Sequence, residues 1–310
     1  MSNNSSNQVG ISTGSNNNDN DKRSVAITVA QALAALQSSG LDRLDAQLLV
    51  LHVLQQGPHH RAWLLAHDTD PLTAATQATL NALAARRRNG EPLAYLTGHK
   101  EFFGLDLAVD ARVLVPRPDT ETLVTWALDV LTDTPSARVL DLGTGSGAIA
   151  LALKATRPDL TVNAVDYSED ALAVARANAA RLQRAVQFSQ GNWLAALPAG
   201  TALFHAIVAN PPYIAAQDNH LAALTHEPLQ ALASGADGLD DLRHIIRLAP
   251  ALLRSGGWLL LEHGFDQAPA VRALLEAAGF EDVQSRCDLS AMERCSGARL
   301  PRASSCQTKP

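Results

Sequence analysis

The sequence predicts an α/β fold, a mostly parallel sheet with helices on both faces, preceded by a small all-helical domain. Three observations carry this expectation. From Ala137 the chain repeats strand, turn, helix, strand, the rhythm that a covered parallel sheet requires. The turn "DLGTGSG" at 141–147 joins the first strand to its helix. Ahead of this unit, Ile27 to Arg88 shows helical periodicity.

The first residues, "MSNNSSNQVGISTGSNNNDNDKRS", are polar and Asn/Ser-rich and read as a disordered tail over 1–24 with no signal-peptide core. A helical domain follows over 25–90. Leu33 and Leu36 form a short stripe; Ala46, Leu49, Val50 and Val53 form a fuller one; Thr73 can cap a helix carrying Leu80 and Leu83. Arg86-Arg87-Arg88 ends that helix, where cations suit the helix dipole. The stretch 91–117 holds "EFFGLDLAVDARVLVPR", whose aromatic, β-branched and turn residues suit a hairpin linker.

The α/β unit is expected over 118–300, with a short tail over 301–310. Its strands are "RVLDL", "TVNAVD", "AVQF", "HAIVAN" and "WLLLEH". Its helices run through Leu123 and Val124, through "GAIALALKA", after Ser168, from Leu242 to Leu253 ended by Gly256-Gly257, and through Val271 and Leu275.

Composition bounds the function. The 310 residues are 46% hydrophobic with a net charge of −6, which argues against a surface that wraps nucleic acid. No run approaches the length of a membrane helix. Cys287, Cys295 and Cys306 match no zinc spacing, so no metal site is expected, and so sparse a count suits a reducing, cytoplasmic setting.

Two motifs carry chemistry. Glycines at 143, 145 and 147 allow close backbone approach to a ligand, and Asp166 ends the second strand, where a carboxylate can accept from both ribose hydroxyls. An adenosine-type cofactor follows. Gly143, Gly145 and Ala148 also satisfy the dinucleotide pattern, but Asp141 would oppose a pyrophosphate while suiting a cationic amino-acid group. The second motif is "VANPPYI" at 208–214. Pro211 and Pro212 supply no N–H and force extended geometry on the residues before them. The Pro211 carbonyl and the Asn210 side-chain oxygen are then two acceptors side by side, with Tyr213 as an aromatic wall. Such a pair suits a planar NH₂ group, held for methyl transfer from S-adenosylmethionine.

At these residues the chain resembles a class I S-adenosylmethionine-dependent methyltransferase. "VPRPDTETLV", "DLGTGSGAIALAL", "NPPYI", "HEPLQAL" and "GGWLLLEHG" extend the resemblance to the HemK/PrmC family, from about Ile27 to Glu293. The resemblance implies a Rossmann-like seven-stranded domain and a cytoplasmic enzyme of translation termination. Its activity would be methylation of N5 of a glutamine in the Gly-Gly-Gln loop of peptide-chain release factors. It implies cofactor binding by Asp141, Gly143, Thr144, Gly145, Ser146, Gly147, Asp166, Asn192, Trp193 and Asn210, and substrate binding by Asn210, Pro211, Pro212 and Tyr213. Of these Asn210, Pro211 and Tyr213 would be catalytic, and no nucleic acid would be bound. The alternatives are a glutamine of a ribosomal protein, and adenine N6 or guanine N2 in nucleic acid. Two departures stand out: Asn192 replaces an acid usual before the tryptophan, and "RCSGARLPRASSCQTKP" lacks a strand-like ending, leaving the last sheet strand in doubt. Asp119, Glu121 and Arg117 are candidates to shape the cofactor pocket, with Arg117 pairing an acid. Glu262 and His263 are expected to satisfy the sheet end, and His226-Glu227 to lie over the substrate.

Overall fold

Alternation along the central strands decides which side chains face which layer. A computed structural model of the chain describes residues 26–197 and 200–302; the tail expected at 1–24, and all of that expected at 301–310 except 301 and 302, lie outside the described residues. In β3 (Arg138–Leu142) and β6 (Phe204–Ala209), successive residues point to opposite faces. Val139, Ala206 and Val208 enter one core, with α6 (Glu121–Val130) and α7 (Ala148–Thr156) above them. Leu140, Leu142, Ile207 and Ala209 enter the other, against α9 (Asp240–Leu248) and α10 (Ala268–Ala277).

The remaining strands of this sheet are β4 (Thr161–Asp166), β5 (Gln187–Gln190), β7 (Leu253–Glu262), β8 (Glu281–Cys287) and β9 (Glu293–Arg299). Among the described residues they form a seven-stranded sheet in the order β5-β4-β3-β6-β7-β9-β8. Neighbours from β5 to β7 are parallel; β9 is antiparallel to both β7 and β8. The chain winds outward from β3 to β4 and β5, then returns to place β6 on the other side of β3. A crevice therefore opens between the carboxyl ends of β3 and β6.

Before the sheet stand α1 (Val29–Ser38), α2 (Arg43–Val53), α3 (Arg61–Ala66), α4 (Ala74–Arg88) and α5 (Leu93–Thr97). They enclose their own core of Val29, Leu36, Leu49, Leu80 and neighbours. Thr73 caps α4 as expected, accepting from Thr76 N at 3.1 Å. Arg86, Arg87 and Arg88 bond Glu91, Asp45 and Ser39 respectively, so the basic run is tied into the helical layer. The hairpin β1 (His99–Phe102) and β2 (Leu105–Ala108) follows where expected. Asn178 of α8 (Glu169–Arg181) clamps it: its fully buried amide exchanges bonds with Ala108 N and O and donates to Ser146 O.

Three local expectations change. The helix traced to Leu253 stops at Leu248, followed by a 3-10 turn at Ala249–Ala251, because Pro250 cannot donate to the helical ladder. β7 then runs straight through Gly256-Gly257. "AVQF" yields a strand shifted to Gln187–Gln190. The final strand, left in doubt by the sequence, is present as β9 and is interior to the sheet. Its pattern is faint because Cys295, Ser296, Gly297 and Ala298 are all small and all buried. Leu260 and Trp126 already fill the space: a Cβ on Gly297 would lie 2.5 Å from Leu260 Cδ2 and 2.9 Å from Trp126 Cη2.

Gly297→Ala is therefore expected to overpack the core and destabilise the protein by about 1–3 kcal/mol. Urea unfolding should show a lowered midpoint at unchanged slope; an unshifted midpoint would mean that β9 is not seated against Trp126.

Candidate functional site

The loops leaving β3 and β6 meet at the crevice, around a cavity of about 320 Å³, within the range of small-molecule sites. The first loop is fastened from beneath. Asp141 is completely buried, and its Oδ2 accepts from Thr144 Oγ1 at 2.6 Å and from Ala150 N at 3.2 Å. Gly143 N and Thr144 N both donate to Val165 O. Gly145 N donates to Asp166 Oδ2 at 2.8 Å, and Ser168 N to Oδ1 at 2.9 Å. Each Asp166 oxygen keeps lone-pair capacity beyond these bonds.

Gly143 sits at φ +71°, and a Cβ there would come within 3.2 Å of the Trp193 ring. Glycine is required at that position twice over, by backbone conformation and by the approach of the indole. Trp193 is itself held, donating Nε1–H to Asp241 Oδ1 at 3.0 Å. Asp241 Oδ2 in turn accepts from Ser234 Oγ.

Of the expected cofactor residues, Gly143, Gly145, Asp166, Asn192, Trp193 and Asn210 line the cavity, as does Pro212 of the substrate set. Asp141, Thr144, Ser146, Gly147, Pro211 and Tyr213 do not line it. Asp141 Oδ1 has no hydrogen-bond partner among the described residues. Asn210 Nδ2 donates to Thr120 Oγ1 at 3.2 Å, leaving Oδ1 as the amide's acceptor. No described residue hydrogen-bonds the Pro211 carbonyl. Tyr213 is half-buried against the second core, and burial, with Glu262 nearby, holds its hydroxyl protonated.

The flanking candidates divide. Arg117 does pair an acid: it donates to Glu227, whose other oxygen accepts from Val115 N at 3.0 Å. The nearly buried Glu227 carboxylate thus ties the strip holding Val113 and Leu114 to the strip holding Pro228 and Ala231, and both strips line the cavity. Its neighbour His226 meets Asn89 O at 3.1 Å, at the end of α4. Glu121 accepts from Phe103 N, so it serves the hairpin; Asp119 faces Arg294 at 3.6 Å. His263 is satisfied by Gly264 O and Ser296 Oγ. Glu262 is fully buried with Oε2 unpartnered. Local sequence pattern passes over Thr120 and Asp241. Thr120 lies in a 3-10 turn, Pro118–Thr120; Asp241 has the pattern of an ordinary acid in the first turn of α9.

Residues 122–236 match the family model described as Methyltransferase small domain, and residues 28–98 match that of the PrmC N-terminal domain. A release factor glutamine methyltransferase of Burkholderia pseudomallei is 50% identical over 280 residues, 88% of this chain and 97% of the relative. One of Bordetella pertussis is 51% identical over 267 residues, 86% and 97% of the two chains. Among solved structures, the hMettl16 catalytic domain in complex with MAT2A 3'UTR hairpin 1 aligns with a TM-score of 0.54 at 15% identity. That alignment covers 87% of this chain and 94% of that one, and shows the fold alone. No helix of the described residues is long and apolar enough to cross a membrane.

Burial pushes the Asp141 carboxyl up to about 7, against the bonds from Thr144 and Ala150 and with Asp166 adding to the rise. A carboxyl raised above its unfolded value near 4 holds its proton more tightly when folded. Its stabilising contribution is full below that value and is lost as pH rises through about 7. Asp141→Asn keeps one acceptor and sheds the charge. It is expected to exceed the parent in stability by on the order of 1–3 kcal/mol above pH ~7, the gap closing toward pH ~5. Thermal unfolding across that range checks this; a pH-independent gap would contradict a buried charge as its origin.

Proposed function

The chain belongs to the release factor glutamine methyltransferase family, and from that premise we propose that it methylates N5 of the glutamine in the Gly-Gly-Gln loop of peptide-chain release factors. S-adenosylmethionine is the methyl donor and supplies, when bound, an activated methyl group on sulfur. The observation that carries the reading is the pair of acceptors at Asn210 and Pro211, beside a cavity whose walls suit an adenosine-bearing cofactor.

The fit of that cofactor is local. Gly143 leaves a cradle that any side chain would fill. Asp166, with both oxygens already oriented by backbone N–H groups, can accept from two ribose hydroxyls without rearranging. Trp193, fixed by Asp241, offers a flat apolar wall, and Asn192 beside it an amide for the adenine edge. The orphaned Asp141 Oδ1 is an acceptor in reserve for the cofactor's ammonium group, through water from beneath the loop.

On the substrate side, Asn210 Oδ1 and the Pro211 carbonyl accept the two hydrogens of the glutamine amide. An amide nitrogen is a weak nucleophile because its lone pair is delocalised into the carbonyl. Fixing both hydrogens orients the nitrogen and stabilises positive charge as it develops there. No strong base is required before attack, since the proton becomes acidic only once the nitrogen is cationic. Pro212 and Tyr213 stiffen the loop and flank the amide.

We assign the helical segment 25–90 to recognition of the release factor body, 91–117 to a structured linker and 118–300 to catalysis. A release factor substrate supports a cytoplasmic location, and the net charge of −6 supports an enzyme that binds no nucleic acid.

Incubation with labelled S-adenosylmethionine and release factor, ribosomal subunits or DNA should label the release factor, and a Gln-to-Ala change in its Gly-Gly-Gln loop should abolish the label. Survival of the label would refute the assignment. Asp166→Ala removes charge-assisted bonds worth roughly 1.5–3 kcal/mol, so cofactor affinity should fall about 10–150-fold by calorimetry. Asn210→Ala should lower kcat far more than cofactor affinity, because it removes alignment of the nucleophile; near-normal turnover would move the substrate nitrogen elsewhere.

A further inference from the structure

An asparagine amide can turn end for end with little change of shape, and the two orientations are chemically opposite. With Oδ1 toward the cavity, Asn210 accepts from an incoming NH₂ group; with Nδ2 there, donor meets donor and the substrate is repelled. The 3.2 Å contact between Asn210 Nδ2 and Thr120 Oγ1 does not decide between them by itself, because a hydroxyl both donates and accepts. What decides is the second partner of Thr120.

The buried acceptor beside it is Glu262. Ala209 and Leu261 are paired in the parallel register of β6 and β7, so Asn210 and Glu262 leave neighbouring strand ends side by side. Thr120 and Glu262 are both buried, 4% and 1% exposed, and the Thr120 and Tyr213 side chains both neighbour the Glu262 carboxylate and favour its charged form. A carboxylate only accepts. A Thr120 hydroxyl turned to that carboxylate gives it its single hydrogen, and Oγ1 is then left to accept from Asn210. We propose that Glu262 and Thr120 are positioning residues for methyl transfer, acting in series to hold the Asn210 amide with its oxygen toward the substrate nitrogen. The proposal deepens the preceding reading and rests on Asn210 Oδ1 being the acceptor.

The series has a built-in pH dependence. Burial pushes the Glu262 carboxyl up to about 7; Thr120 opposes this, Asp119 adds to it, and Arg294 and Tyr213 oppose it. Cys295, the cross-strand partner of Glu262, is held as a neutral thiol by its own burial. Protonated, Glu262 has a hydrogen of its own to donate to Thr120. The Thr120 hydrogen is then released toward Asn210, and the amide is free to turn its NH₂ to the cavity. Turnover should fall as pH drops through the Glu262 titration. Because Asp141 titrates in the same range, the part due to Glu262 is read as the difference between the parent and Glu262→Gln at each pH, cofactor affinity being the same in both.

The test compares Thr120→Val, Thr120→Ser, Glu262→Gln and Asn210→Ala. It measures cofactor affinity by calorimetry and kcat and KM on whole release factor, between about pH 5.5 and 8.5. Thr120→Val should lower kcat by on the order of 10–100-fold with cofactor affinity within about twofold, and Thr120→Ser should restore most of it. The acidic limb in kcat near neutrality should be present in the parent and absent from Glu262→Gln, a comparison that stands whether or not the valine variant folds. Parent-like kcat in Thr120→Val, or an unchanged acidic limb in Glu262→Gln, would overturn the series even if Asn210→Ala is inactive. An active Asn210→Ala would sink the series together with the reading beneath it.

Discussion

The parallel pairing of β3 with β6 is the constraint on which the site depends. Their register places Leu142 beside Ala209, so the glycine loop and the Asn-Pro-Pro-Tyr loop begin at the same height on adjacent strands. One chain then passes to a helix on one face of the sheet and the other to a helix on the opposite face. The gap this leaves is a property of winding order and needs no special residue. Special residues are needed to keep it open, and Gly143 and the two prolines do so by opposite means. The glycine removes bulk where the Trp193 ring approaches; the prolines remove donors that would otherwise satisfy the rim.

Buried carboxylates hold this geometry. Asp141 fastens the glycine loop to α7, Asp166 fastens its outer turn to α8, Glu227 ties two cavity walls together, and Glu262 sits under Asn210. Burying a carboxylate costs free energy unless donors meet it. Three of the four are met by backbone N–H groups, from the first turn of α7 for Asp141 and from loops and a helix cap for Asp166 and Glu227. Each such bond fixes backbone where the ligands would lie, so the cost of burial is converted into order at the site. Glu262 differs: side-chain hydroxyls face it and one oxygen is unpartnered. A group so poorly compensated is kept where its charge state matters to a neighbour.

Legibility in the sequence followed side-chain size. Strands whose buried faces carry Val, Leu and Ile announced themselves, and so did the amphipathic helices α2, α4 and α8. β9 did not, because its interior face is built from Cys, Ser, Gly and Ala fitted against Leu260 and Trp126, and small residues carry no periodic signal. The end of α9 was misplaced for a related reason: its apolar spacing runs on into β7, and only Pro250 marks the change. At the site, the cavity lining was legible where chemistry and backbone coincide, at Gly143, Asp166 and Asn210. Residues acting across the chain were not. Asp241 and Thr120 bond to partners 48 and 90 positions away, and local pattern holds no trace of such pairing.

The Asn-Pro-Pro-Tyr loop shows why that long-range contribution is physically necessary. A loop made of acceptors without donors cannot orient itself, since nothing inside it can hold the Asn210 amide one way round. The prolines that free the Pro211 carbonyl also remove the N–H groups of the two residues after Asn210, either of which could have bonded its Oδ1 and turned it the wrong way. The orientation must then come from a donor-poor, acceptor-rich neighbour outside the loop, and a buried anion relayed through a hydroxyl is such a neighbour. The stiff turn and the distant Thr120–Glu262 pair are therefore two halves of one requirement: the first keeps two oxygens free, and the second ensures that both are oxygens.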